Sequence, residues 1–214
     1  MSLDATIKTQ VFRPAPTLRP RLIDLTERVV VMAAFFSYML ANIASGNGLD
    51  MLIASTELVT VGCILFRRPA TSVSLDPQDW GLALCGTLLS MFMRPGGDPL
   101  ISPAFALGLV ANGALISVAA KLSLNRRFGV APANRGVQMR GAYVFVRHPM
   151  YVGYVLTHAA YLLTNPTLFN AVLIVITWTC QAGRILREER WLMQDRRYRR
   201  YARIVRFRFL PGLL

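Results

Sequence analysis

The stretch Arg147-His148-Pro149-Met150-Tyr151-Val152-Gly153 concentrates the residue types that do chemistry. Proline at 149 pushes His148 toward extended backbone and suits the first position of a helix, so a helix is expected to begin there. Free N–H groups at such an end attract anions, and Arg147 and His148 flank it. Tyr151 falls on the first turn, and Gly153 lets another group approach the backbone. Two readings stay open: a seat for a carboxylate- or phosphate-bearing ligand, or a cationic helix start anchored in lipid headgroups with Tyr151 in the aromatic belt. A second constellation follows, in which Gln181, Arg184, Glu188 and Trp191 recur at helical spacing and share one face. Arg184 and Glu188 form an i,i+4 pair. Glu188, Glu189 and Asp195 are the only acids after Asp98. Glu188 therefore either meets a cationic group of a ligand or balances charge on a solvated turn. Glu189, about 100° around the helix, would support it or face water.

The elements that must position these residues are apolar and long. Val29–Ala44 carries no charge, Met51–Phe66 only Glu57, and Trp80–Met93 is uncharged but short. Residues 101–120 meet the rule of roughly 20 apolar residues per bilayer crossing. Residues 150–183 are uncharged and too long for one crossing, and Thr164-Asn165-Pro166-Thr167 breaks them into a helical hairpin. Of the 24 Lys and Arg, all but Arg94 fall on one side when both termini are placed together, a strong positive-inside bias that puts the termini in the cytoplasm. The 214 residues are 54% apolar and 16% charged, yet carry a net charge of +13. A nucleic-acid binder would need a basic face on a soluble fold, and here the basic segments are separated by membrane-length apolar runs, which excludes it. Residues 1–21 lack the apolar core of a signal peptide and read as a loose basic arm. Cys63, Cys85 and Cys180, at unrelated spacings inside apolar segments, read as small core hydrophobes, so no metal site is expected. Glu57, an acid inside a membrane segment, is functional by default or is tied to Lys121 or Arg28. The expected fold is all-α: a polytopic integral membrane protein of about five to six transmembrane helices, including a C-terminal helical hairpin, with a cytoplasmic cassette.

The C-terminal part of this pattern resembles the isoprenylcysteine carboxyl methyltransferase family, within the wider group that includes phospholipid N-methyltransferases. The residues that carry the resemblance are Gly141-Ala142-Tyr143, Arg-His-Pro-x-Tyr-x-Gly at 147–153 and the hydrophobic hairpin. The Glu188-Glu189 pair, the Tyr198/Tyr201 spacing and the terminal Leu210-Pro211 complete it. Charge and apolar runs mark a basic arm (1–21) and a four-helix membrane region (22–120), and the resemblance, over roughly residues 121–211, makes the remainder (121–214) a methyltransferase cassette, with its hairpin over 148–188 and a basic tail. The resemblance implies methyl transfer from S-adenosylmethionine without a Rossmann domain. Arg135, Gly136, Val137 and Gly141 would wrap the cofactor, and Arg147, His148, Tyr151, Gly153, Leu156 and His158 would complete the wall. Glu188 would meet the cofactor with Glu189 beside it, while Arg184, with Gln181, would point into the acceptor site. His158 alone on an apolar helix also fits a hydrogen-bonded core residue.

The residues agree chemically with that implication. The cofactor's carboxylate suits the helix start with His148, and its ammonium suits Glu188. Methyl transfer is an in-line displacement that needs alignment and exclusion of water. A carboxylate acceptor is already ionised and needs only a partner such as Arg184, whereas an amine needs a base, for which Glu188, Glu189 and His148 are candidates. The acceptor is expected to be a membrane lipid or lipidated small molecule entering from the bilayer. The Arg and Ala content points to a bacterial inner membrane, where prenylated proteins are not the expected substrate. Two other classes compete: a nicotinamide-dependent sterol-type reductase, for whose longer helical array this chain is short, and a non-catalytic membrane protein.

Overall fold

The computed structural model describes residues 19–45, 48–68, 72–74, 76–130 and 133–209. The sequence motifs at residues 1–18 and at Leu210-Pro211 lie outside the described residues. Among the described residues seven α-helices follow in order: α1 (Arg19–Ser45), α2 (Gly48–Leu65), α3 (Pro77–Leu88), α4 (Pro103–Leu124), α5 (Pro149–Thr164), α6 (Leu168–Leu192) and α7 (Arg196–Ile204). Two two-residue strands, β1 (Ser72–Val73) and β2 (Ala133–Asn134), pair antiparallel, with Val73 opposite Ala133. The all-α class is as expected. The chain is already helical at Arg19, so the basic arm ends before residue 21.

Helix starts follow local chemistry. Pro77 and Pro103 occupy first helical positions, where a missing N–H costs nothing, and the side chains of Asp76 and Ser102 accept from Gln78 N and Phe105 N. Thr167 accepts from Asn170 N and starts α6 immediately after Pro166. Among the described residues three helices, over Asp24–Ala44, Pro103–Arg127 and Leu168–Leu192, are long and apolar enough to cross a membrane, fewer than the five to six expected, and Met51–Leu65 is a shorter apolar helix. Their outer faces carry large apolar side chains such as Phe36, Leu115 and Val175, each more than 60% exposed, as a lipid-facing surface requires.

The hairpin forms, but its arms diverge. α5 packs chiefly along α4, and α6 along α3. Small residues let α4 and α5 touch backbone to backbone: a Cβ on Gly113 would lie 2.7 Å from Gly153 O and 2.9 Å from Thr157. α6 is pinned to the start of α3 by Arg187, whose guanidinium pairs with Asp76 and Asp79. At the hairpin tip, fully buried Asn170 accepts from Arg94 N (3.1 Å) and donates to Arg94 O and Asn165 O (2.8 Å each). α4 runs unbroken across residues 120–121, so the membrane region and the cassette share a helix.

Glu57 is tied to Lys121, with Nζ 3.7 Å from Oε2 and held 5.4 Å from the Tyr154 ring centroid. Arg28 instead serves Asp24 and the carbonyls of Leu65 and Arg67. The basic tail is an ordered clasp: α7 buries Tyr198 and Tyr201 with Ala120, Tyr143 and Val205, and turns its arginines outward. The three cysteines are free thiols, and Cys85 is exposed on the outer face of α3 rather than in the core. No group of residues able to hold a metal ion occurs among the described residues.

Candidate functional site

Pro149 occupies the first position of α5, as its neighbours dictate, and His148 is the cap residue, with no side-chain capping bond of its own. The N–H groups of Arg147 and His148 are already engaged, donating to Phe207 O (2.9 Å) and Arg208 O (2.8 Å) of the segment after α7. That backbone pairing closes the C-terminal clasp, and Tyr201 fastens it by donating from its hydroxyl to Tyr143 O at 2.8 Å. Burial raises the phenols of Tyr143, Tyr198 and Tyr201 above their ordinary range, so all three remain neutral hydroxyls.

The paired acids on α6 split their work by orientation. Glu189 is buried and holds three cationic or titratable groups: Arg147 Nη1 at 3.0 Å, His148 Nε2 at 3.3 Å and Arg208 Nε at 2.6 Å. It supports the helix start from behind and does not face water. Glu188, half-buried, lies in the wall of a cavity of about 90 Å³ at the basic end of the molecule. Arg135, Gly136, Val137, Arg147, His148, Tyr151 and Arg184 line the same cavity, so eight of the expected residues converge there. Gly136 holds a backbone φ of +94°, which favours glycine at this bend in the wall. Arg135 and Arg147 are buried, and the Nε of each is left without a hydrogen-bond partner in the protein.

A second cavity of about 250 Å³ lies between the membrane helices. Gln181 and His158 belong to this cavity and not to the basic one, because both sit deeper along their helices than Arg184 and Tyr151. Gln181 donates to Gly86 O at 2.6 Å, and the His158 ring stacks on Tyr154 with centroids 6.4 Å apart. Unpartnered polar atoms accumulate around this space, on Thr60, Ser117, His158 (Nδ1), Gln181 (Oε1) and Arg184 (Nε).

Met150, Tyr151 and Arg184 line both cavities. Arg184 donates from Nη1 to Thr87 Oγ1 at 3.2 Å and lies 5.9 Å from the Tyr151 ring centroid. Its expected partnership with Glu188 is long-range, since the guanidinium turns toward α3 and Tyr151. The arrangement is a charged, aromatic partition between a chamber lined by arginines and one between the apolar helices.

Three expected wall residues lie elsewhere. Gly153 and Leu156 face α4, where Gly153 permits the close approach to Gly113 and Ser117. Gly141, at φ +64°, packs against Ser123 at the end of α4. Gly129, Met150 and Leu192 of the basic wall carry no signal of a site in the sequence, and neither do half-buried Asp24 and buried Glu27 of α1, which reach Arg135. The two acids are marked only by their spacing, three apart at the mouth of an apolar helix.

Residues 107–194 match the model of the isoprenylcysteine carboxyl methyltransferase (ICMT) family, which supports the resemblance carried by the cassette. The match runs from within α4 to just past α6 and includes both of the expected chemical clusters. The family is one of membrane methyltransferases. No curated protein matches the chain.

Proposed function

With the ICMT family match over residues 107–194 as premise, we propose that the chain is an integral membrane methyltransferase using S-adenosylmethionine and acting on a lipophilic acceptor. The observation that carries this reading is the shared wall of Met150, Tyr151 and Arg184. A two-substrate transfer between a polar donor and a membrane-borne acceptor needs two chambers that meet at one partition.

The donor set of the basic cavity fits the cofactor. Buried Arg135 and Arg147, each with an unpartnered Nε, suit its carboxylate, and Glu188 suits its ammonium. The apolar and aromatic surfaces of Val137, Tyr143, Leu192 and Tyr198 suit its adenine. When bound, the cofactor supplies an electrophilic methyl group on its sulfonium. His148, with Nε2 engaged by Glu189, holds the wall at the start of α5. Arg184, anchored by Thr87, presents a fixed cation at the partition and orients an acceptor carboxylate there. Enclosure by membrane helices excludes water from the line of transfer, so the chain contributes alignment and desolvation and removes no proton.

The acceptor by resemblance is an isoprenylcysteine-type carboxylate. One observation favours an amine instead: Glu57 lines the acceptor chamber with its side chain 17% exposed. In that case the product is an N-methylated lipid and Glu57, Glu188 or His148 takes the proton. In this reading both termini are cytoplasmic, which the positive-inside bias supports, and the membrane is a bacterial inner membrane, which the Arg and Ala content supports. Calorimetric titration of detergent-purified protein with S-adenosylmethionine and with NADPH tests the proposal. Binding of the first and not the second is expected. Well-folded protein that binds only NADPH is a reductase, and protein that binds neither has no such function.

A further inference from the structure

The cofactor site draws on a helix that lies outside the family match. Near the start of α1, Asp24 and Glu27 face Arg67, which follows α2, and Arg135 of the basic wall. Glu27 takes Arg67 in a bidentate pair, with Nη1 to Oε1 at 2.8 Å and Nη2 to Oε2 at 3.0 Å. Asp24 takes Arg67 Nη2 at 2.7 Å and Arg28 Nε at 2.8 Å. Arg135 receives the longer contacts, 3.4 Å to Asp24 and 3.9 Å to Glu27, and its Nε is unpartnered. Three arginines against two acids leave one positive charge in excess, and the arginine least satisfied by the acids is the one that lines the cavity.

Glu27 also fixes the surface on which Arg135 rests. Its Oε1 accepts the Val130 N–H at 2.9 Å, holding the backbone next to Gly129. A Cβ on Gly129 would strike the Arg135 guanidinium, lying 2.8 Å from Cζ. The guanidinium therefore lies flat over Gly129, with α1 acids on one side and the cavity on the other. Burial, reinforced by neighbouring Arg67, lowers Arg135's proton affinity, though a guanidinium keeps its charge in proteins.

We propose that Asp24 and Glu27 are positioning residues for the cofactor: with Arg67 and Gly129 they hold Arg135 where it takes the cofactor's carboxylate. This rests on the reading of the basic cavity as the S-adenosylmethionine site. It makes α1 part of that site, and it explains one buried acid, Glu27, and one half-buried acid, Asp24, where apolar residues would serve packing as well.

Two variants, assayed in the full-length detergent-purified protein, test it. Glu27→Gln keeps the shape and removes the charge. Gly129→Ala leaves every charge in place, and the atoms nearest its added methyl are the far end of the flexible Arg135 side chain, so Arg135 is the group that moves. Titration with S-adenosylmethionine should show Kd raised about tenfold in each, the loss of roughly one charge-assisted hydrogen bond. The rate at saturating cofactor should change little, so the effect appears in KM and not in kcat. Neither substitution should weaken binding further in an Arg135→Gln background. If both variants melt normally and bind with wild-type Kd, the acids are only a structural tie and the proposal is wrong. Should Glu27→Gln not fold, Gly129→Ala decides alone. Wild-type protein that fails to bind S-adenosylmethionine would refute the reading of the cavity itself, a result distinct from variants that bind as wild type does.

Discussion

Neighbouring glutamates on α6 should fail in opposite ways. Glu189→Gln removes a charge whose side chain is 5% exposed and whose partner Arg147 is 7% exposed. Removing one partner of a buried pair costs about 3–5 kcal/mol, because the other charge stays buried. Arg208 is 40% exposed and its share of the clamp is screened by solvent, and glutamine keeps one acceptor for His148 or Arg147, so the low end applies, about 3 kcal/mol. For a chain of this size that corresponds to a fall in melting temperature of about 6–12 °C. Glu188→Gln, half-buried in the cavity wall and outside the clamp, should melt within about 2 °C of wild type, as substitutions away from packed networks do. Its cost appears in cofactor affinity: a hydrogen bond to a charged group contributes about 1.5–3 kcal/mol, a Kd raised roughly 10- to 150-fold. Thermal melts in detergent and calorimetric titration, run on both variants, read the two effects separately. A stable Glu189→Gln beside an unstable Glu188→Gln would refute the division of labour between clamp and site.

Other consequences follow from the same geometry. Arg184→Ala should bind S-adenosylmethionine within about twofold of wild type yet lose turnover, because Arg184 acts at the partition and is fixed from α3; loss of cofactor binding would remove its acceptor role. Lys121→Met should destabilise the membrane region by leaving Glu57 unpaired, and Glu57→Gln in the same chain should restore much of that loss, measured as melting temperature. Gly113→Ala should cost about 1–3 kcal/mol, since its methyl group meets the Gly153 carbonyl across the α4–α5 contact, and a melting temperature equal to wild type would contradict that packing.

The helices were legible because the bilayer and proline leave strong marks. Apolar runs predicted six hydrophobic segments, which fall on helices α1 to α6, three of them long and apolar enough to cross a membrane, and Pro149 and Pro166 predicted where α5 begins and where the hairpin turns. The convergence of Arg135, Arg147, His148, Tyr151, Arg184 and Glu188 was legible from spacing together with the family resemblance. Long-range pairing was not. Nothing local in Asp24 and Glu27 says that they meet residues 67 and 135, because the sequence separations are set by tertiary packing. Gly153 and Leu156 carry a pattern that fits a ligand wall and a helix contact equally, and the small residues of α4 decide for contact. The arginine-rich tail reads as solvated charge, yet Tyr198 and Tyr201, three residues apart, give α7 a buried face that turns it into a clasp.

Donor and acceptor chambers meet, in the proposed mechanism, at Met150, Tyr151 and Arg184. A structure of the protein crystallised with S-adenosylhomocysteine tests it most directly. The amino-acid end is expected between Arg135, Arg147 and Glu188, with the sulfur turned toward the Tyr151–Arg184 wall. Density for the ligand in the interhelical cavity, or with its sulfur facing away from that wall, would contradict it.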